Sequence, residues 1–172
     1  MREERPIRER LLAAMAAHVL RHGLSGASLR PLARAAGTSD RMLIYHFGSK
    51  DRLIADLLVH LAGDFERLLT ALLPEHAFAS EDEAVARIVA VQMRPEVADY
   101  VRLWMEIVAA AARGSTAHRE TGAAILNGLQ GWLAARLPSA EPDPHAAARA
   151  AIARVEGEMV LWSLGLAGPG AR

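Results

Sequence analysis

The 172-residue sequence predicts an all-α fold. Alanine and leucine dominate it, and β-branched residues are sparse. Apolar residues recur at helical spacing from end to end. Glycine, proline and polar clusters interrupt that pattern at intervals of about one helix.

The elements follow in order. Ile7, Leu11, Leu12, Met15 and Val19 fall on one face of a first helix, which Gly23 ends. A second helix, Leu29 to Ala36, follows Ser28, a residue type suited to an N-cap. Pro31 stands at its third position, where a missing N–H costs nothing because that donor has no intrahelical partner. Gly37 closes this helix. Ser39 caps a third, Asp40 to about Phe47, which Gly48 and Ser49 break. A long fourth helix runs from Lys50 to about Leu73, ahead of Pro74. Helices near 81–93, 95–113, 116–137 and 143–165 complete the chain, and Gly165–Arg172 is expected to fray.

Several classes of function fall away. The chain has no cysteine, which excludes disulfides, thiolate metal sites and a cysteine nucleophile and fits a reducing cytoplasm. No apolar run approaches the roughly 18 residues of a membrane span, and Met1–Arg10 is charged rather than signal-like. The seven histidines (His18, His22, His46, His60, His76, His118, His145) form no HExxH, no paired ExxH and no HxH. No nucleophile and base stand at a recognisable spacing. The expectation is a cytoplasmic protein that is not an enzyme and carries no cofactor or metal.

Charge is distributed unevenly. Residues 1–52 hold ten basic residues against five acidic ones, a net +5, and the remaining 120 carry the balancing −5. A basic head on an acidic body is what one polyanion-facing surface produces.

Two very short helices joined by Ala36-Gly37-Thr38-Ser39 are the distinctive feature. A helix of about eight residues is marginal alone and has to be held by packing. Leu29, Leu32, Ala33 and Ala36 supply the buried stripe of the first. In the second, Leu43 and Phe47 face the core, while Asp40, Arg41, Met42 and Tyr45 point elsewhere. That is the geometry of a helix-turn-helix, whose second helix enters the major groove with its N-terminal residues toward base edges.

The stretch Ser28 to Leu53 contains Leu32-Ala33, Ala36-Gly37 and, above all, Tyr45-His46-Phe47-Gly48-Ser49-Lys50 leading into Leu53. It resembles the DNA-binding signature of the tetracycline-repressor (TetR/AcrR) family over about residues 7–54. The resemblance implies that Arg30, Arg41 and Met42 read base edges, with Arg41 bidentate on guanine and Met42 on a thymine methyl. It implies that Ser28, Tyr45, His46 and Lys50 bind backbone phosphates, with Ser39 completing the set at the head of the third helix. Asp40 either reads a cytosine amino group or stabilises the helix N-terminus, the second being the more ordinary role. Ile44 departs from the family pattern, which has an aromatic at this place, so one phosphate contact is missing.

The expected organisation is a three-helix helix-turn-helix DNA-binding domain over 1–50, followed by a helical effector-binding and dimerisation domain over 51–172. In the last two helices Ala123, Ala124, Leu126, Leu129 and Leu133, then Ala147, Ala150, Ile152, Val155, Met159 and Leu161, form broad apolar faces. A two-fold mate would cover them as a four-helix bundle, which is also the family's dimer arrangement. His60, Phe65, Met93, Tyr100, Trp104, Met105 and Ile107 are the bulky candidates for a pocket, although such stripes are more often core. The expected partners are double-stranded DNA, a second copy of the chain and a small-molecule inducer. The expected function is a ligand-released repressor acting as a homodimer on a palindromic operator. The alternative is a helical small-molecule-binding or scaffold protein whose helix-turn-helix no longer binds DNA.

Overall fold

The computed structural model describes residues 4–73, 78–138 and 141–166. Their regular structure is entirely helical, with no strand among the described residues. The helices are α1 (Glu4–His22), α2 (Leu29–Ala35), α3 (Asp40–Phe47), α4 (Lys50–Leu72), α5 (Glu81–Gln92), α6 (Ala98–Ala112), α7 (Thr116–Ala134) and α8 (Pro144–Ser163). From residue 167 on, the expected fraying lies outside the described residues.

The helices depart from their expected spans only at their ends. α2 stops one residue early because Ala36, Gly37 and Thr38 form its terminal turn. Gly37 N–H donates to the Arg34 carbonyl at 3.2 Å and Thr38 N–H to the Ala33 carbonyl at 2.9 Å. These are the paired bonds of a Schellman motif, and Gly37 supplies the left-handed φ of 63° that the motif requires. The segment expected to be helical from residue 95 opens instead with a 3₁₀ turn, Pro95–Val97. Val97 N–H closes it on the Arg94 carbonyl at 3.1 Å.

Two compact units divide the chain. The first comprises Met1–Phe65 and Asp99–Ile125, the second Glu66–Ala98 and Leu126–Arg172. In the first, Met15 and Val19 of α1, Leu32 and Ala33 of α2, and Leu43 and Phe47 of α3 share one core. Leu53, Leu57, Leu58 and Leu61 of α4 and Leu103 and Ile107 of α6 complete it. α2 and α3 are too short to persist unaided, so this burial is what keeps them helical. Arg8 adds a polar tie. It ion-pairs with Asp56 of α4, and its guanidinium lies over the Phe47 ring, 4.8 Å from the centroid.

In the second unit α5 packs on α8, burying Ala84, Val85, Ile88 and Val91 on one side and Ala148, Ala151, Ile152, Val155 and Met159 on the other. Trp132 is buried in the same unit; its Nε1–H donates to Thr70 Oγ1 at 2.9 Å and its ring meets Phe78 edge-on. Arg154 of α8 donates to Asp82 at 2.7 Å and to Glu81 at 3.1 Å, at the head of α5. This packing corrects part of the expected apolar face. Leu133 on α7 is buried within the chain itself, and so are Ile152, Val155 and Met159, because α8 is apolar on more than one side and its inner side is taken by α5. Ala123 and Ala124 on α7 and Ala150, Val160, Leu161 and Trp162 on α8 remain exposed.

Leu32 is fully buried at the centre of α2. Leu32→Ala should therefore lower the free energy of unfolding by about 2–5 kcal/mol in a urea titration. Val59→Ala, on the exposed side of α4, should change it by no more than about 0.5 kcal/mol.

Candidate nucleic-acid interface

α3 is built with two opposite characters. Leu43 and Phe47, at 0% and 1% exposure, anchor one face in the core of the first unit. Asp40 and Arg41 are exposed on the other side, with Met42 at 41% and Tyr45 at 70%. An exposure this large for a tyrosine on an eight-residue helix leaves its ring free to meet something outside the chain. His46 is half-buried, and its ring stands edge-on to Tyr45 with centroids 5.2 Å apart.

The serines that open the short helices behave differently. Ser39 Oγ accepts from Met42 N–H at 3.3 Å and caps α3. Ser28 has the backbone of an N-cap, but its side chain makes no capping bond. Pro31 explains this, for it occupies the third helical position and removes one of the two N–H groups a serine cap can serve. The Ser28 hydroxyl is exposed at the head of α2, in the place from which it could donate to a phosphate.

Ser49 is a cap that sequence reading passed over. Its Oγ accepts from Arg52 N–H at 3.1 Å, and its carbonyl from Leu53 N–H at 3.0 Å. Lys50 is thereby fixed as the first residue of α4, exposed, with Arg52 exposed in the same turn. Arg30 and Arg34 are exposed on α2. Arg34 and Arg52 lie within the stretch Ser28 to Leu53, but sequence reading assigned them no role beyond the charge count of the first 52 residues.

The expected pocket residues are placed as follows. Phe65 and Tyr100 meet in the first unit, their rings tilted and 5.4 Å apart. His60 is half-buried and pairs with Asp64 one turn along α4 at 3.6 Å. Trp104 lies against Gly122 of α7, Met105 is half-buried, and Ile107 belongs to the core of the first unit. Met93 is half-buried in the second unit. Among the described residues no group of three or more histidine, aspartate or glutamate side chains is placed to hold a metal ion. No described helix is long and apolar enough to cross a membrane.

Residues 11–57 match the family profile described as bacterial regulatory proteins, tetR family. No curated protein sequence matches the chain. Among solved structures, a Rhodococcus sp. protein assigned to the TetR family of transcriptional regulators superposes with a TM-score of 0.72 at 25% identity, over 98% of this chain and 91% of that one. The multidrug binding protein EbrR, solved with proflavin, gives 0.70 at 26% identity over 94% and 91% of the two chains. Salmonella enterica GusR gives 0.62 at 26% identity over 90% and 82%.

The two serines provide a direct check of the local geometry. Ser39→Ala should cost about 1 kcal/mol of unfolding free energy through the lost cap. Ser28→Ala should cost less than about 0.5 kcal/mol, because no capping bond is lost. Thermal or urea unfolding of the two variants side by side measures the difference.

Proposed function

We propose, from the match of residues 11–57 to the profile of the tetR family of bacterial regulatory proteins, that this protein is a transcription regulator of the bacterial cytoplasm that binds DNA as a homodimer and is released by a small molecule. The observation that carries the reading is the two-sided character of α3. Its apolar side is locked into the core, so Arg41, Met42 and Tyr45 are held outward in a fixed register. A helix so presented fits the major groove of double-stranded DNA.

In that arrangement Arg41 offers two parallel N–H donors to guanine O6 and N7, and Met42 an apolar contact to a thymine methyl. Arg30 approaches base edges from α2. Ser28, Ser39, Tyr45, His46 and Lys50 serve the phosphates, which fix position without reading sequence. Lys50 is instructive. A cation in the first turn of α4 opposes the helix dipole, and a phosphate seated beside it removes that penalty. Asp40 suits the N-terminus of α3 electrostatically and serves there as a first-turn acid.

The last two helices each leave small or apolar side chains exposed, Ala123 and Ala124 on α7 and Val160, Leu161 and Trp162 on α8. These support a two-fold interface. A symmetric dimer would read half-sites about one helical turn, roughly 34–36 Å, apart. The Phe65–Tyr100 ring pair, with Trp104, Met105 and His60, supports a small-molecule effector with an apolar body. An effector that binds one disposition of α4 better than another would shift the spacing of the two α3 helices and weaken the complex, acting as an inducer of a repressor. No cofactor enters this scheme.

Selection of bound sequences from random duplex DNA tests the reading and should return a palindrome. On that operator Lys50→Ala should weaken binding to all sequences alike and shallow the log–log salt slope by about 1. Arg41→Ala should relax preference at one base pair per half-site, at a cost of about 1–3 kcal/mol. A folded dimer that binds apolar ligands but no duplex at low salt would instead favour a ligand-binding protein with a silent helix-turn-helix.

A further inference from the structure

The described methionines differ sharply in access. Met15 and Met159 are buried, at 0% and 3% exposure, and Met93 and Met105 are half-buried. Met42 is 41% exposed and shares the outward side of α3 with Arg41 and Tyr45. The chain has no cysteine, so no thiol competes for a two-electron oxidant. A thioether reacts through a sulfur lone pair and needs no deprotonation, so access governs which methionine reacts. The local fold does not depend on this sulfur. Met42 contributes its backbone N–H to the Ser39 cap, at 3.3 Å, and the helix is held by Leu43 and Phe47 on its other side. An oxygen atom can therefore be added to the side chain without disturbing the core or the cap.

We propose that Met42 is a redox modification site, at which an oxidant of the hydroperoxide class weakens operator recognition. The site rests on the DNA-binding reading above and adds to it an input that needs no bound effector. The sulfur attacks one peroxide oxygen, the O–O bond breaks, and the proton of the attacked oxygen passes to the departing one. Sulfur gives up two electrons and becomes the sulfoxide, while the peroxide is reduced to water, or to an alcohol if it is organic. An apolar contact surface thereby becomes a strong hydrogen-bond acceptor. Against a thymine methyl that acceptor meets no donor and has to give up its water. The phosphate contacts of Ser28, Tyr45 and Lys50 do not involve the sulfur. Oxidation therefore removes sequence preference and leaves non-specific duplex binding in place.

Hydrogen peroxide is the probe. The full-length protein is treated with it, alone and with the operator duplex obtained by selection, and each methionine is followed by peptide mass spectrometry. Met42 should gain one oxygen well before Met15 and Met159, and bound operator should slow that gain. Treated protein should bind the operator about five- to 150-fold more weakly for each oxidised half-site, the effect of one unpaired polar group. Its affinity for random duplex and its thermal midpoint should stay unchanged, which general oxidative damage would not allow. Methionine sulfoxide reductases with a thiol reductant should restore operator binding. Met42→Leu, whatever its starting affinity, should show no peroxide-dependent loss. Oxidation no faster at Met42 than at the buried methionines, operator binding untouched by the Met42 sulfoxide, or an equal loss in Met42→Leu overturns the redox site alone. An untreated wild type that binds no duplex overturns the DNA-binding reading and this site with it.

Discussion

Burial of Leu43 and Phe47 is the constraint on which the rest depends. A helix of eight residues has too few internal hydrogen bonds to repay its nucleation, so α3 exists because these two side chains are fixed in the core of the first unit. Their spacing of four residues also sets the rotation of the helix about its axis. Once that rotation is fixed, Arg41, Met42 and Tyr45 have to face outward. The stability of the module and its capacity to meet DNA are two consequences of one packing arrangement.

The Arg8 guanidinium reinforces this at one point, stacked on Phe47 and paired with Asp56. It links three helices of the module through a single side chain. Removing it would strip both a cation from the Phe47 ring and a partner from a half-buried carboxylate, a loss of packing as well as of charge. Gly37 and Gly23 do the complementary work at the joints. One gives the left-handed turn between α2 and α3, and the other gives both a left-handed turn and the space that lets α6 approach the end of α1.

What could be read from the sequence was local. Ser39 and Gly48 bracket α3, because caps and breakers act within one or two turns. The outward and inward faces of α3 followed from helical period alone. Ser28 was legible as an N-cap by position, but the effect of Pro31 on its hydroxyl emerges only from the bonding of that turn. The inner side of α8 was misjudged for a different reason. Ile152, Val155 and Met159 look the same in sequence whether α5 or a second copy covers them, and only the fold decides. Contacts such as Arg8–Asp56 and Leu24–Glu106 span 48 and 82 residues, beyond the reach of any periodicity.

The chain has no cysteine, so a single one can be placed at will. Met42→Cys carrying an iron chelate that cleaves nearby DNA tests most directly whether the outer face of α3 lies in the groove. Cuts should cluster within each operator half-site, with the two clusters about 34–36 Å apart. The same label on Leu164→Cys, beyond α8, should leave the DNA intact. A stable complex in which the Met42 label cuts nothing, or in which both labels cut alike, would contradict the account.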